Sequence, residues 1–257
     1  MSKKKNQNKK VSKFANPFVE KKKPKFLELK DKLLSIYNTV NLETTCPGHC
    51  VCCSIACPQM NYSEFLIIVN RVYDKFPKEK RMEILKRSIK YFFSNSLIKP
   101  CPLLDGKRCS VYEVRSLSCR CYGLWPEDVY EQRVQRFMEV TGLKKHEIPL
   151  NTQCKYVKRV DESKELTKEI IEKMYDDLNS LDAGVGNFTK EQIEKRYNQR
   201  TWHDWFMVNV FGEQNLSDLS RFFLAAENQS VLDDFVVQMC KQVDMVGDQV
   251  FKRNKHG

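Results

Sequence analysis

Ten of the eleven cysteines in this 257-residue chain fall between positions 46 and 154, nine of them in two blocks. The first, TTCPGHCVCCSIACP over 44–58, holds Cys46, Cys50, Cys52, Cys53 and Cys57. The second, KPCPLLDGKRCSVYEVRSLSCRCYGLWP over 99–126, holds Cys101, Cys109, Cys119 and Cys121, and Cys154 follows. Adjacent Cys52 and Cys53 do not easily pair with each other. The stretch between the blocks has the pattern of two antiparallel helices, which would return the chain to where it started. The blocks can then face each other across one site. Thiolate is a soft, compact ligand that suits zinc or iron. Pro47, Gly48, Pro58, Pro100, Pro102 and Gly106 break the backbone into loops that can wrap a small ion. A helix could not present Cys52 and Cys53 to one side, because neighbours on a helix diverge by about 100°.

The oxidised alternative, a disulfide framework, is disfavoured. The basic N-terminus has no apolar run after it, so it does not read as a secretory signal. No stretch of about 18 apolar residues is present, so no membrane span is expected. A chain of this kind is expected in reducing cytosol, where thiols stay free or bind metal. Eleven is also odd, which leaves one sulfur over in any complete set of disulfides.

The charge is unevenly placed. Residues 1–30 contain eleven Lys against Glu20 and Glu28, an excess of +9 out of the formal +11, so the other 227 residues carry only +2. The body is a near-neutral globule and residues 1–24 read as a disordered basic tail. That tail can attract nucleic acid or an acidic partner through sequence-independent charge. It contains no Arg, so bidentate contacts to phosphate or guanine are absent from it. Specific nucleic-acid recognition is not expected, and a protein partner or substrate is left unnamed.

The rest reads as helix. Charged residues are 30%, and Gly and Pro together number 18. Phe26, Leu29, Leu33, Ile36, Tyr37 and Val40 recur at helical spacing over 25–40. Tyr62, Phe65, Leu66, Val69, Val72, Tyr73 and Phe76 form a stripe ending near Pro77. Met82, Leu85, Ile89 and Phe92 mark a helix over 78–94. Pro126, Glu127 and Asp128 suit a helix start and Gly142 its stop. Leu166, Ile170, Met174, Leu178 and Leu181 outline another helix. DAGVGNF over 182–188 reads as a break and linker, followed by a capping box of Thr189 and Gln192 with Phe188 and Ile193 as its staple. Leu232, Phe235, Val236, Met239, Val243, Val246 and Val250 hold one face of a last helix. Strand signals are weak, although CSVYEV and CKYVKRV could pair as a small β-ribbon. The expected fold is mainly α: a helical scaffold around a loop-rich cysteine site, with a metal-binding domain over 25–182 and a C-terminal helical region over 188–257.

Cys46, Cys50, Cys52 and Cys53, followed by CPLLDGKRCSVYEVRSLSCRCYG, resemble the YkgJ-type cysteine-cluster family. This is a zinc- or iron-chelating domain that includes flagellin lysine N-methylase relatives. The family pattern is C-x-x-C-x-x-C-C, then C-P-[FL]-L…G-x-C-x-[IV]-Y-x-x-R-P-x-x-C-R-x-[YF], then a later cysteine. The resemblance covers about residues 45–155 and implies Cys46, Cys52, Cys53, Cys101, Cys109, Cys119 and Cys154 as metal ligands. The family's second cysteine falls on His49, one step before Cys50, so either residue fills that place. The family's proline after the arginine is Ser116 here, which leaves the turn from Tyr112 to Cys119 less rigid.

The ligand set expected is therefore Cys46, Cys50, Cys52, Cys53, Cys101, Cys109, Cys119 and Cys154, with His49, Cys57 and Cys121 as additional candidates. Arg115 and Arg120 are placed to offset the charge of a thiolate-rich centre, with a surface ion pair as the plainer alternative. Glu64 could accept from this centre or ligate it, although an exposed helix carboxylate is the simpler expectation. Cys240, beside Met239 on a regular helix, reads as core packing. Zinc wants four ligands in a closed tetrahedron, and eight candidates allow two such sites. A cubane iron–sulfur cluster uses four cysteines and leaves the others for a second ion. The Cys52–Cys53 pair and the Cys119–Arg120–Cys121 step are not ordinary zinc-ribbon knuckles, which tilts the choice toward iron or a polynuclear site.

Two classes of function follow: a metal centre that ties the scaffold together while other helices bind a partner or RNA, or a metal-dependent protein-modifying enzyme of the methylase type. Against the enzyme, no glycine-rich dinucleotide loop is present. His203 and Asp204 could form an acid–base pair, but flanking Trp202 and Trp205 favour a core stripe.

Overall fold

The computed structural model describes residues 23–40, 42–46, 51–94, 96, 98–149, 152–154, 156–163, 165–186, 188–213, 217–219, 221 and 229–252. Helix makes up 63% and strand 6%, so the mainly α expectation is met. The basic tail up to residue 22, and with it His49 and Cys50, lies outside the described residues.

Helix α1 (Lys23–Tyr37) buries Leu29, Leu33 and Tyr37, the stripe its spacing predicts. The first cysteine block carries a short helix, α2 (Val51–Ile55), and a strand, β1 (Gln59–Asn61). Next comes α3 (Tyr62–Lys75), which ends before Pro77, and then α4 (Lys78–Phe92). A hairpin of β2 (Leu104–Asp105) and β3 (Arg108–Cys109) follows, with Gly106 at φ +58° in its tip. Helix α5 (Leu117–Cys121) carries the last two cysteines of the second block. Helix α6 (Glu127–Thr141) starts after Pro126, which sits one place earlier than expected, as the cap. It stops at Gly142 in the left-handed region, where the Gly142 N–H donates to Met138 O at 2.8 Å.

Helix α7 (Lys168–Gly186) corrects the reading of 182–188 as a break, because Asp182, Ala183, Gly184, Val185 and Gly186 are its last residues. The physical reason is tertiary. Asp182 is fully buried, and its carboxylate accepts from the N–H groups of Tyr62 (3.1 Å) and Ser63 (2.7 Å) at the start of α3. It also accepts from the side-chain amides of Asn61 (2.9 Å) and Asn198 (2.8 Å). A carboxylate capping a neighbouring helix holds its own helix in register.

The chain continues through α8 (Lys190–Glu194), β4 (Gln199–Thr201), α9 (Trp202–Phe211) and α10 (Gln229–Lys252). The Thr189–Gln192 capping box forms as expected. Strand β4 pairs antiparallel with β1 (Met60 opposite Arg200), which brings residues after 188 directly onto the first cysteine block. CSVYEV and CKYVKRV do not pair with each other. Cys109 ends β3, Tyr112–Val114 form a 3-10 turn, and the later segment bridges Arg159 to Thr44. Neither segment has enough alternating apolar residues to specify a mutual register.

Two apolar cores flank α3. One joins Phe65, Ile68, Val72, Leu85 and Ile89 with Trp202, Trp205 and Met207 of α9 and Met239 and Val243 of α10. The other joins Leu29, Leu33, Tyr37, Leu117, Val134, Met174 and Leu178. The cysteine loops lie where the two meet. No described helix is long and apolar enough to cross a membrane.

Candidate metal centre

Backbone hydrogen bonds stitch the two cysteine blocks together. The Lys99 N–H donates to Ile55 O at 2.9 Å, and the Cys101 N–H donates to Cys53 O at 2.6 Å. The Leu104 N–H returns to Cys101 O and the Ser110 N–H to Leu103 O, which folds the β2–β3 hairpin beside them. The late thiols therefore meet the early ones, as a helical pair between the blocks requires.

The sulfurs stand in pairs. Cys52 Sγ and Cys53 Sγ are 3.9 Å apart, and the Cys101 thiol donates to Cys57 Sγ at 3.6 Å. A tetrahedron with metal–sulfur bonds of about 2.3 Å has sulfur–sulfur edges of about 3.8 Å, so the Cys52–Cys53 spacing suits ligation. Cys119 is electrostatically coupled to Cys109, Cys101 and Cys52, and Cys53 to Cys52, Cys119 and Cys101. No disulfide joins the described cysteines. Among the described residues no three His, Cys, Asp or Glu side chains stand close enough together to enclose an ion. Five members of the expected set, Cys52, Cys53, Cys101, Cys109 and Cys119, share this neighbourhood.

Cys46 and Cys154 stand apart from it. Cys46 is half-buried, next to the Thr45–Lys158 backbone bond that fastens the first block to the segment after Cys154. Cys154 packs on Gly123, whose φ of +88° and missing side chain allow the approach. A Cβ at 123 would lie 2.9 Å from Cys154 O. Cys154 and Cys52 both raise the titration of Tyr122, behind burial and the Tyr130 hydroxyl, so that ring sits between the late cysteine and the cluster. Cys121, two residues beyond Cys119 on α5, is turned into the second core and is fully buried among Leu117 and its neighbours. Burial pushes its thiol up to about 12. Cys240 packs half-buried against the first core, as expected of a small hydrophobe.

The electrostatics favour retained charge at one sulfur. The hydrogen bond from Cys53 pulls the Cys52 thiol down to about 7, helped by the charge of Arg115. The same bond pushes Cys53 far up. Cys101 is held well above its ordinary range, first by its hydrogen bond with Cys57 and then by burial. Burial also raises Cys119, and the Ser116 hydroxyl, donating to Cys119 Sγ at 3.4 Å, opposes that rise.

Arg115 stacks on the exposed Tyr112 ring at 3.9 Å, with its charge felt at Cys52. Arg120 lies 4.4 Å over the Tyr37 ring and donates to Arg115 O and Glu113 O, with its charge coupled to Cys119. Sequence reasoning missed Arg87 on α4, which donates to Leu104 O and whose charge lowers Cys101. Three guanidinium groups thus face three thiols.

Glu64 corrects the expectation of an exposed carboxylate. It is 1% exposed and accepts from the Tyr37 hydroxyl (2.5 Å), the Leu117 N–H (2.6 Å) and the Asn61 N–H (2.8 Å). It therefore ties α1, α5 and the start of α3 together and sets the position of Cys119 from below. Burial raises its pKa against the pull of these three donors. The Glu64–Asn61 spacing is a capping-box signal that was legible in the sequence; the partners from α1 and α5 were not.

His203 is buried, stacks on Tyr91 with ring centroids 4.2 Å apart, and lies 3.5 Å from Asp204. The Thr201 hydroxyl spans both, within 2.9 Å of His203 Nδ1 and donating to Asp204 at 2.6 Å. Trp202 and Trp205 are buried core, which is the reading their spacing supports. The Tyr91 hydroxyl in turn accepts from the Cys57 N–H at 3.0 Å, so α4 and α9 back the cysteine cluster.

Comparisons of the chain with family models, with curated proteins and with solved structures find no match.

Proposed function

We propose that the two cysteine blocks bind zinc or iron, the latter including an iron–sulfur cluster, through Cys46, Cys50, Cys52, Cys53, Cys101, Cys109, Cys119 and Cys154. The observation that carries this reading is the 2.6 Å bond between Cys101 N and Cys53 O, which joins early and late thiols through rigid backbone. The donor set fits such a group. Cys46, Cys52, Cys53, Cys101, Cys119 and Cys154 carry no disulfide, the Cys52 and Cys53 sulfurs are spaced near the edge of a thiolate tetrahedron, and Arg87, Arg115 and Arg120 offset the negative charge that several thiolates bring. The resemblance of the two blocks to the YkgJ-type pattern supports the same set.

A bound ion would supply closed thiolate coordination, whose binding energy is folding energy, and an iron–sulfur form would add one-electron chemistry. The chain's own residues hold the ligands in place. Glu64 anchors α5 and Cys119, Ser116 donates to Cys119, and the β2–β3 hairpin sets Cys109 opposite Leu104, whose N–H donates to Cys101 O. The role that suits these buried and half-buried sulfurs is a centre that ties the helical scaffold together, with no partner or substrate specified.

The test is anaerobic purification followed by an absorbance spectrum and elemental analysis. Stoichiometric zinc in a colourless protein, or iron with sulfide in a brown one, is expected, and Cys101→Ser and Cys119→Ser should each lose it. A folded chain that carries neither metal and takes up neither under reducing conditions ends the proposal.

A further inference from the structure

Cys57 lies outside the eight-thiol set, yet its sulfur is 3.6 Å from that of Cys101. Both side chains are buried, at 6% and 7% exposure. Both are also fixed by backbone bonds. The Cys57 N–H donates to the Tyr91 hydroxyl on α4, and the Cys101 N–H donates to Cys53 O. The other close pair, Cys52 and Cys53 at 3.9 Å, is consecutive. Consecutive Cα atoms across a trans peptide are about 3.8 Å apart, shorter than the roughly 4.4–6.8 Å that disulfides span. Cys57 and Cys101 carry no such restriction, since β1, α3 and α4 separate them along the chain.

We propose that Cys57 and Cys101 form a peroxide-sensitive dithiol, and that its oxidation to a disulfide withdraws Cys101 from the metal centre and releases the ion. This rests on the ligand set proposed above. Cys57, uncoordinated in that set, supplies the first sulfur. As a thiolate it attacks one oxygen of hydrogen peroxide; the S–O bond forms, the O–O bond breaks, and hydroxide leaves. The Cys101 thiolate then attacks the sulfenic sulfur of Cys57, the S–S bond forms, and the second hydroxide leaves. Each hydroxide takes a proton, so two thiols and one peroxide give one disulfide and two waters. Two electrons pass from the sulfurs to the peroxide. Burial of both side chains restricts the reaction to an oxidant as small as hydrogen peroxide.

The full chain, loaded with zinc, is exposed to a modest excess of hydrogen peroxide. Zinc release is followed with a chromogenic chelator, and disulfides by peptide mapping without reduction. A linked Cys57–Cys101 peptide should appear at the rate at which zinc leaves, and dithiothreitol should reverse both. Cys57→Ser should hold zinc as the parent does and release it at least about tenfold more slowly. A dominant disulfide between other cysteines, zinc release from Cys57→Ser at the parent rate, or zinc missing from Cys57→Ser before any peroxide is added would each overturn the inference. A chain that binds no zinc at all would instead sink the metal reading, while the peptide map would still report whether the dithiol forms.

Discussion

Cys101 donates its backbone N–H to the carbonyl of Cys53 at 2.6 Å, so the second cysteine block is seated on the first by main chain rather than by sulfur alone. A metal bound there would reinforce a junction that the backbone has already made. Removing it with a strong chelator under reducing conditions should lower the midpoint of thermal unfolding by about 10 °C, the scale of a few kcal/mol in a domain of this size. Differential scanning calorimetry with and without chelator checks this; an unchanged midpoint in metal-loaded protein would argue against a structural role.

Glu64 receives three donors from three different elements in a site closed to water. Glu64→Ala leaves the Tyr37 hydroxyl and two backbone N–H groups unpaired and is expected to destabilise the fold by about 3 kcal/mol or more. Glu64→Gln keeps one acceptor but turns an amide N–H toward the Asn61 N–H, and should cost about 1–3 kcal/mol. Urea denaturation orders the two variants; equal stability to the parent would mean the site is wetter than described.

Ser116 offers its hydroxyl to Cys119. Ser116→Ala removes a donor that favours the thiolate and should weaken zinc binding by about tenfold, the scale seen when a group supporting a metal ligand is lost. Competition titration against a calibrated chelator measures it, and an unchanged affinity would leave the hydroxyl as a cap only.

His203 lies against Tyr91 with its pKa lowered from 6.5 to about 4, chiefly by burial, with Lys99 adding to the effect and Asp204 opposing it. The unfolded chain therefore takes up a proton at this ring more readily than the folded one. Stability is fully present above pH 6.5 and is lost as pH falls toward 4, by at most about 3 kcal/mol from this group. His203→Gln should flatten the fall in unfolding free energy across that window. Glu64 and Asp182, whose pKa values are raised by burial, act in the opposite sense and do not produce it.

Two glycines of α7 should respond in opposite directions. Gly184 is exposed and a Cβ there meets nothing within 4 Å, so Gly184→Ala should stabilise by up to about 1 kcal/mol. A Cβ on Gly186 would fall 2.3 Å from the Phe188 ring and 2.9 Å from the Tyr62 ring, so Gly186→Ala should destabilise by about 1–3 kcal/mol. Paired thermal melts decide the signs.

The helices were legible because an amphipathic helix writes its buried face into a spacing of three and four. Leu29 and Leu33, Phe65 and Val72, Met82 and Ile89, and Leu232 and Met239 all lie inside as that spacing requires. The convergence of the blocks was legible for a similar reason, since two helices of matching length between them bring the chain back. DAGVG misled because two glycines signal a stop only when nothing else holds the helix, and Asp182 is held by α3. Glu64 misled because a carboxylate on a helix is buried only when donors arrive from elsewhere, and Tyr37 and Leu117 are distant in sequence.

By itself the sequence determined the helical class, the buried stripes and the grouping of thiols, because each depends on residues near one another along the chain. Only the tertiary structure decided that β4 would lie on β1, that Cys57 rather than Cys121 would stand beside Cys101, and that three arginines would face the sulfurs. Those outcomes depend on which surfaces meet and how α5 is rotated when they do, and local spacing carries no record of that rotation.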